Sequence, residues 1–430
     1  MKQMDENLFE QEVKHRAVLV GVEMDEDISY SMKELAQLAE AAGVEVAGEL
    51  IQKRERRDTA TYIGKGKVEE LGIACESLDA DIVIFNDELS GIQLRNVEDR
   101  IDRKVIDRTI LILDIFASRA VSREGKLQVE LAQLQYRMPR IIGIGKSLSR
   151  TGGGIGTRGP GEKKLETDRR HIERRITDIK RELEEIRKVR QTQRVRREKS
   201  DIPVVALVGY TNSGKSTIMN KILQDVNREE KSVYAEDMLF ATLDTFQRNI
   251  KLDTRGEFIL IDTVGFVSKL PHTLVNAFKA TLEEVLYADL LIHVVDVSYE
   301  NFDFQMQVTE KVLKEIKAWD KKKLIVFNKI DKIEYDDGII PAGDEMLYIS
   351  AKTGEGMDKL IEKIKEIIFY DMKEAALLIP YDRGDISSYL CQNTKVKVLD
   401  YTEKGIYVET ELKVSDYNRY EKYMVSESER

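Results

Sequence analysis

The run Val204-Val205-Ala206-Leu207-Val208 leads directly into Gly209-x-x-x-x-Gly214-Lys215-Ser216 and then into an apolar-periodic stretch. A buried strand that turns through glycine into a helix constrains the fold of this chain more than any other feature. The glycines let successive backbone N–H groups converge on one point, the new helix adds the positive end of its dipole, and Lys215 brings a flexible cation. Such a loop is built to cradle phosphates. A strand, loop and helix of this kind form the unit of a parallel sheet covered on both faces, and strand and helix patterns alternate from Asp201 to about Tyr370, so this region is expected to be a doubly wound α/β domain.

Further motifs follow in order. FILIDTVGF ends an apolar strand at Asp262 and continues through Thr263, Val264 and Gly265. An aspartate there can hold Mg²⁺ through water, and the Gly265 N–H can bond a γ-phosphate. KKLIVFNKID supplies Asn328, Lys329 and Asp331, the last a carboxylate able to accept from guanine N1–H and its exocyclic amine, a pattern adenine does not offer. YISAKTG supplies Ser350, Ala351 and Lys352 to close over the base edge. The nucleotide is therefore expected to be GTP, hydrolysed to GDP. Expected contacts are Gly209, Tyr210, Thr211, Asn212, Ser213, Gly214, Lys215, Ser216 and Thr217, with Phe240, Ala241, Thr242, Leu243 and Asp244 from DMLFATLDTF. Ser216 and Thr242 are the expected Mg²⁺ ligands, with Asp262 acting through water, and Lys215, Thr242 and Gly265 are the expected catalytic groups. Phe266 stands where many signalling GTPases carry a water-orienting glutamine, which a phenylalanine cannot replace; intrinsic hydrolysis should be slow and helped by a partner. A core or switch-anchoring aromatic is the alternative reading of Phe266.

The chain's 430 residues suffice for about three domains. Residues 1–107 alternate short apolar runs with helical patterns, as in a small α/β subdomain. Residues 108–200 turn helical. Leu127, Leu131, Leu134 and Met138 recur at helical steps until Pro139, expected to end that helix, and Leu165, Ile172, Ile176, Ile179, Leu183, Ile186 and Val189 mark a second, long helix. The pair reads as an antiparallel hairpin. The stretch from Arg137 to Lys199 holds 20 Lys and Arg against 9 Asp and Glu in a chain of net charge −10. No acid occurs from Leu131 to Gly161, where Arg137, Arg140, Lys146, Arg150 and Arg158 lie among glycines. A cationic glycine-rich tip is expected to meet RNA phosphates. In residues 371–430 two period-two runs flank TEKG, the mark of a hairpin in a small α+β domain. No apolar run approaches the ~20 residues of a membrane span, the acidic start lacks a secretory signal, and two distant cysteines with four scattered histidines give neither a disulfide framework nor zinc spacing.

Three blocks together resemble the HflX family of ribosome-associated, translation-factor-related GTPases: DRTILILDIFASRAVSREGKLQVELAQLQYRMPR, LSRTGGGIGTRGPGEKKLETDRRHIERRI, and FATLDTFQR with DTVGFVSKLPHTLVNAFKATLEE. The chain departs at Leu243-Asp244-Thr245, where members usually have proline after Leu-Asp. The acidic start leads to the expectation of a cytoplasmic protein, which is further expected to be in part membrane-peripheral and monomeric; the resemblance implies a factor that binds the large ribosomal subunit and its RNA and dissociates or rescues ribosomes under stress. Its hairpin is implied to approach the peptidyl-transferase region. A large-subunit assembly GTPase and a regulatory GTPase with protein partners only are the alternatives. ATP binding by the N-terminal domain is also implied; the local candidate, Tyr62-Ile63-Gly64-Lys65-Gly66-Lys67, lacks P-loop spacing and reads as a turn before a helix.

Overall fold

The computed structural model describes residues 15–151, 160–200, 202–226, 240, 246–252, 256–269, 279–333, 343, 345–370, 372–394 and 396–425. Within these, side chains are described except at 141–151, 160–165, 193–200, 226, 256, 279–282, 372, 392, 393, 413 and 415. Among the described residues no helix is long and apolar enough to cross a membrane.

The first unit alternates β1 (Arg16–Glu23), α1 (Ser29–Ala41), β2 (Glu45–Lys53), α2 (Lys65–Ser77), β3 (Ile82–Phe85), α3 (Gly91–Ile101), β4 (Lys104–Asp107) and α4 (Arg108–Arg119). The strands form a parallel sheet in the order β2-β1-β3-β4, as the alternation of apolar runs predicts. Alternate residues of β1 face opposite layers: Ala17 and Leu19 meet α1 and α4, while Val18, Val20 and Val22 meet α2 and α3. Gly64 caps α2 with an extended backbone, and Lys65, Gly66 and Lys67 already lie in the helix, so α2 begins within the cluster expected to be a turn before it. Asp107 caps α4 by accepting from Ile110 N–H, and its second oxygen takes the Leu89 N–H at 3.0 Å, the Tyr136 hydroxyl and the Arg140 guanidinium at 3.3 Å.

Two long helices follow, α5 (Arg123–Thr151) and α6 (Pro160–Ser200). Leu127, Leu131, Leu134 and Met138 pack on Ile172, Ile176, Ile179, Leu183 and Ile186, the hairpin expected. Val189 leaves the stripe and is exposed, and Arg190 next to it takes the facing position through an ion pair with Glu124 at 2.8 Å. Pro139 does not end α5, contrary to expectation. A proline removes one donor from a helix but does not forbid its continuation where neighbours hold it. Here the Arg140 guanidinium lies 3.4 Å over the Tyr136 ring and donates to the Tyr136 carbonyl at 2.7 Å and the Leu89 carbonyl at 2.7 Å. At 1.5 Å per residue the 41 residues of α6 reach roughly 60 Å.

The third unit has six strands in the order β10-β9-β8-β5-β7-β6, parallel except for the edge strand β6. They are β5 (Val204–Gly209), β6 (Phe246–Leu252), β7 (Gly256–Asp262), β8 (Leu290–Asp296), β9 (Lys323–Asn328) and β10 (Met346–Tyr348). Helices α7 (Lys215–Val226), α8 (Lys279–Leu286), α9 (Phe302–Glu315) and α10 (Met357–Ile368) cover its two faces, the doubly wound arrangement read from the sequence. The last unit is an antiparallel sheet, β11 (Met372–Ile379), β13 (Gly405–Lys413) and β12 (Val396–Thr402), with α11 (Gly384–Asn393) and α12 (Val414–Tyr420). Its β12–β13 hairpin closes at Thr402 and Gly405, where TEKG places a turn.

Candidate nucleotide site

The C-terminal edge of the third sheet gathers the motif residues because β5, β7, β8 and β9 all end there. After β5 the backbone turns through Gly209 at φ +150, Asn212 at φ +58 and Gly214 at φ +96. A Cβ on Gly214 would run into the Asn328 amide, and one on Gly209 into the Val294 carbonyl, so both glycines are required by contact as well as by conformation. Asn328 is a latch: its Nδ2 donates to the Ser213 carbonyl at 2.8 Å and its Oδ1 accepts from the Ala351 N–H at 3.0 Å. One side chain thus ties the loop after β5, the end of β9 and the loop after β10.

Lys215 is buried, and its Nζ donates to the carbonyls of Tyr210 at 2.8 Å and Gly209 at 3.2 Å. Burial pulls its ammonium down to about 8, against the opposing pull of Asp262. The Ser216 hydroxyl donates to Asp262 Oδ2 at 2.5 Å, so a hydroxyl and a carboxylate converge at the start of α7. Thr217 lies in the same first turn. Thr263 is turned away, its hydroxyl bonding the Leu207 carbonyl at 2.7 Å. Val264 belongs to the apolar cluster of the first unit.

Gly265 is pressed on the loop: an added Cβ would lie 2.6 Å from Thr211 Cα and 3.0 Å from Lys215 Nζ. Phe266 follows, its N–H bonding the Gly209 carbonyl at 3.1 Å and its carbonyl taking the Thr211 N–H at 2.6 Å. Its ring is buried among Val208, Ile261 and Leu291, the core role named as the alternative.

On the base side, Asp331 sits in the short turn after β9 and its Oδ1 accepts from the Ser350 hydroxyl at 2.6 Å. That hydrogen bond holds the Asp331 carboxyl below the usual carboxylate range. Lys329 adopts φ +68 and pairs with Asp296 at 2.8 Å, and Lys352 is exposed beside Ala351.

Not every expected contact converges here. The Phe240 N–H donates to Thr211 Oγ1 at 2.9 Å, but its ring is buried edge-on against Phe116, with centroids 4.6 Å apart. Tyr210 also turns its side chain away, toward the first unit, where its hydroxyl donates to Glu34. Burial, followed by the Glu34 charge, raises the pKa of that hydroxyl and keeps it a donor. Ala241, Thr242, Leu243, Asp244 and Arg158 lie outside the described residues, as do the side chains of Lys146 and Arg150. Arg137 is exposed, whereas Arg140 is committed to Tyr136, Leu89 and Asp107 and is unavailable to RNA in this arrangement. Glu34 and Arg108 are both buried; Glu34 had no motif to mark it, and Arg108 stands in the first block quoted above without having been read as a contact of this region.

Comparison with known proteins agrees with this layout. Four family models match in succession: "GTP-binding GTPase N-terminal" over residues 29–117, "GTP-binding GTPase Middle Region" over 119–197, "50S ribosome-binding GTPase" over 204–329 and "HflX C-terminal domain" over 341–426. A protein of Caldanaerobacter subterraneus subsp. tengcongensis named GTPase HflX is 50% identical over 414 residues, 96% of this chain and 94% of that protein. GTPase HflX of Lacrimispora saccharolytica is 46% identical, covering 94% of this chain and 95% of its own. The protein of that name in Escherichia coli K12 is 40% identical, again over 94% of this chain and 95% of its own. With domain models matched from residue 29 to residue 426 and such relatives spanning almost the whole length, this chain belongs to the HflX family of GTP-binding, GTP-hydrolysing proteins.

Proposed function

We propose that the protein binds the large ribosomal subunit in its GTP form and separates or rescues ribosomes under stress, leaving after hydrolysis. The observation that carries this reading is a GTPase domain of the 50S ribosome-binding type joined to a long hairpin whose central stretch is cationic. In the proposed cycle the amides from Asn212 to Thr217 cradle the phosphates, and Lys215 leaves the Gly209 and Tyr210 carbonyls to reach them. Asp331 and Ser350 select guanine, while Asn328 keeps the base and phosphate loops in register. Arg137, Lys146, Arg150 and Arg158 are the proposed RNA contacts.

A Mg²⁺ ion fits the residues present, because Ser216 Oγ and Asp262 Oδ2 already lie 2.5 Å apart and offer the hard oxygen donors the ion prefers. Ser216 would ligate it directly with Thr242, and Asp262 through water. When bound, the ion neutralises charge developing on the phosphates. Phe266 is in the core, so the group that orients the attacking water comes from elsewhere, in this reading from the ribosome.

The test is GTP hydrolysis by the protein alone, with small subunits and with large subunits, before and after deletion of residues 152–161. Stimulation by large subunits that falls on deletion supports the proposal. Stimulation that survives deletion moves recognition to the GTPase or C-terminal unit, and no stimulation by any particle refutes a ribosomal role. An assembly role on immature large subunits uses the same surfaces and is distinguished by which particle stimulates more.

A further inference from the structure

The parallel strands β5, β8 and β9 begin together at the edge of the third sheet opposite the nucleotide site. Asp289, just before β8, donates its N–H to the Val204 carbonyl at 2.7 Å and accepts the Val204 N–H on its carboxylate at 2.8 Å. Lys321, just before β9, donates to the Ala288 carbonyl at 2.9 Å, and the ammonium of Lys322 lies 4.0 Å over the Tyr370 ring at the end of α10. The turn from α9 into β9 is thereby fixed between the ends of α8 and α10. It brings Tyr287, Lys317, Lys322 and Tyr370 to one basal edge.

This edge carries more cation than the fold consumes. From Lys311 to Lys323 six lysines stand against Glu315 and Asp320, in a chain whose net charge is −10. Three of the six are engaged. Lys314 pairs with Glu310 at 3.6 Å, Lys323 donates to the Trp319 carbonyl at 2.6 Å and lies over the Trp319 ring at 3.3 Å, and Lys321 holds Ala288. Lys311, Lys317 and Lys322 are exposed and make no ion pair among the described residues. Lys317 follows the C-cap of α9 at φ +63, where glycine is the easy residue, so the chain keeps a cation against its conformational preference. Beside these lysines Tyr370 is 72% exposed and Tyr287 50%. Among the described residues no leucine, isoleucine, valine or phenylalanine is exposed at this edge.

We propose that the basal edge of the GTPase sheet binds single-stranded RNA, with Lys311, Lys317 and Lys322 on phosphates and Tyr370 stacking on a base, Tyr287 lying beside them. Lys322 covers one face of the Tyr370 ring, and the exposure of that residue leaves the other face open to a base. Ammonium groups beside exposed rings suit a strand whose bases are splayed out, because every base has a stacking face and every nucleotide a phosphate. A duplex keeps its bases stacked inside and has no use for the rings. An anionic membrane calls for aliphatic side chains to insert, and this edge exposes none. The strand is also distinct from any RNA met by the hairpin tip: α6 runs from near that tip to Ser200, three residues before β5, a span of roughly 60 Å. A protein so equipped holds two RNA segments about one long helix apart, and the basal contact stands whether or not the tip binds RNA.

The experiment follows the fluorescence anisotropy of a labelled, unstructured RNA of about ten nucleotides across a salt series. It compares full-length protein, the 152–161 deletion, and that deletion carrying either Lys317→Ala with Lys322→Ala or Tyr370→Leu. RNA binding is expected to survive the deletion. The double lysine variant should lower the slope of log affinity against log salt by about 1.4, the share of two phosphates on a single strand. Tyr370→Leu should weaken binding about fivefold or more at an unchanged slope. Loss of all RNA binding on deletion overturns the proposal, as do basal variants that bind like their parent. A preference for a duplex of equal length, or for phosphatidylglycerol vesicles over the RNA, overturns it too. If the deletion fails to fold, the same substitutions in the full-length chain decide by the same slopes.

Discussion

In the proposed site, recognition of the base rests on two hydrogen bonds to one carboxylate, and the bonds can be removed one at a time. Asp331 is exposed in the turn after β9, with the Ser350 hydroxyl on Oδ1 at 2.6 Å keeping it ionised and oriented. Guanine offers it N1–H and the 2-amino group, whereas hypoxanthine offers N1–H alone. A hydrogen bond to a charged group contributes about 1.5–3 kcal/mol, and exposure places Asp331 near the lower end. Wild type should therefore bind GTP roughly tenfold or more tightly than ITP. Asp331→Ala removes both bonds, so GTP affinity should fall by at least about a hundredfold while the GTP-to-ITP ratio collapses toward one. Titration calorimetry with both nucleotides measures the ratio, and a melting curve without nucleotide checks that this exposed substitution leaves the fold intact. A GTP-to-ITP preference preserved in Asp331→Ala would refute the reasoning, because the 2-amino group would then be recognised elsewhere.

Two further outcomes follow from buried groups. His293, buried on β8, has its pKa pushed down to about 4 from 6.5, by burial first and then by Lys215 and Lys323. Above pH 6.5 both folded and unfolded chains leave it neutral; between 6.5 and 4 only the unfolded chain takes the proton, so stability is lost as pH falls through that window. Between pH 7 and pH 5 the loss should be about 2 kcal/mol in urea unfolding, and it should vanish in His293→Leu; an equal pH slope in the variant contradicts the assignment. Gly214→Ala forces a side chain into φ +96 and into the Asn328 amide, which should cost about 1–3 kcal/mol in a melt and abolish nucleotide binding. Unchanged GTP affinity in that variant would show that the Asn328 latch is dispensable.

The sequence displays whatever is periodic or local. The glycine spacing after Val208, the strand ending at Asp262 and the Asn-Lys-x-Asp after β9 are each encoded within a dozen residues, and each lies where expected. The three-four rhythm of Leu127 to Met138 likewise named the true inner face of α5. Misreadings arose where a distant partner overrode a local rule. Pro139 ends an isolated helix, but Arg140 is anchored to Leu89 and Asp107 from another unit and the helix passes through. Glu34 looks like one more charge on α1, yet its partners Tyr210 and Ser268 stand 176 and 234 positions away. Tyr210 and Phe240 sit inside motifs, which predicts a role beside the nucleotide; their side chains instead join the first unit's core. A motif fixes where a backbone goes, but not which domain its variable side chains will meet.

Those displaced side chains also decide how the hairpin is mounted. Arg108, which holds Glu34 and Ser268, directly follows Asp107, which holds Tyr136 and Arg140 of α5. The contact with Ser268 and the root of the hairpin are therefore neighbours at one strand–helix junction, both seated on the same four-stranded sheet. A rotation of this sheet by only about 5° about that junction, acting through a helix roughly 60 Å long, displaces the far end by about 5 Å. The interfaces that resist such a rotation are unevenly distributed. Toward the hairpin they are Val129, Ala132 and Tyr136 of α5 in the apolar cluster of the first unit, with the Tyr136 hydroxyl and the Arg140 guanidinium on Asp107. Toward the GTPase unit they centre on Ser268, Lys269 and Tyr210, which meet Glu34, Arg108 and Asp87. Asp107 and Arg108 are both buried, so one strand–helix junction carries the root of the hairpin on one residue and the contact with the GTPase unit on the next.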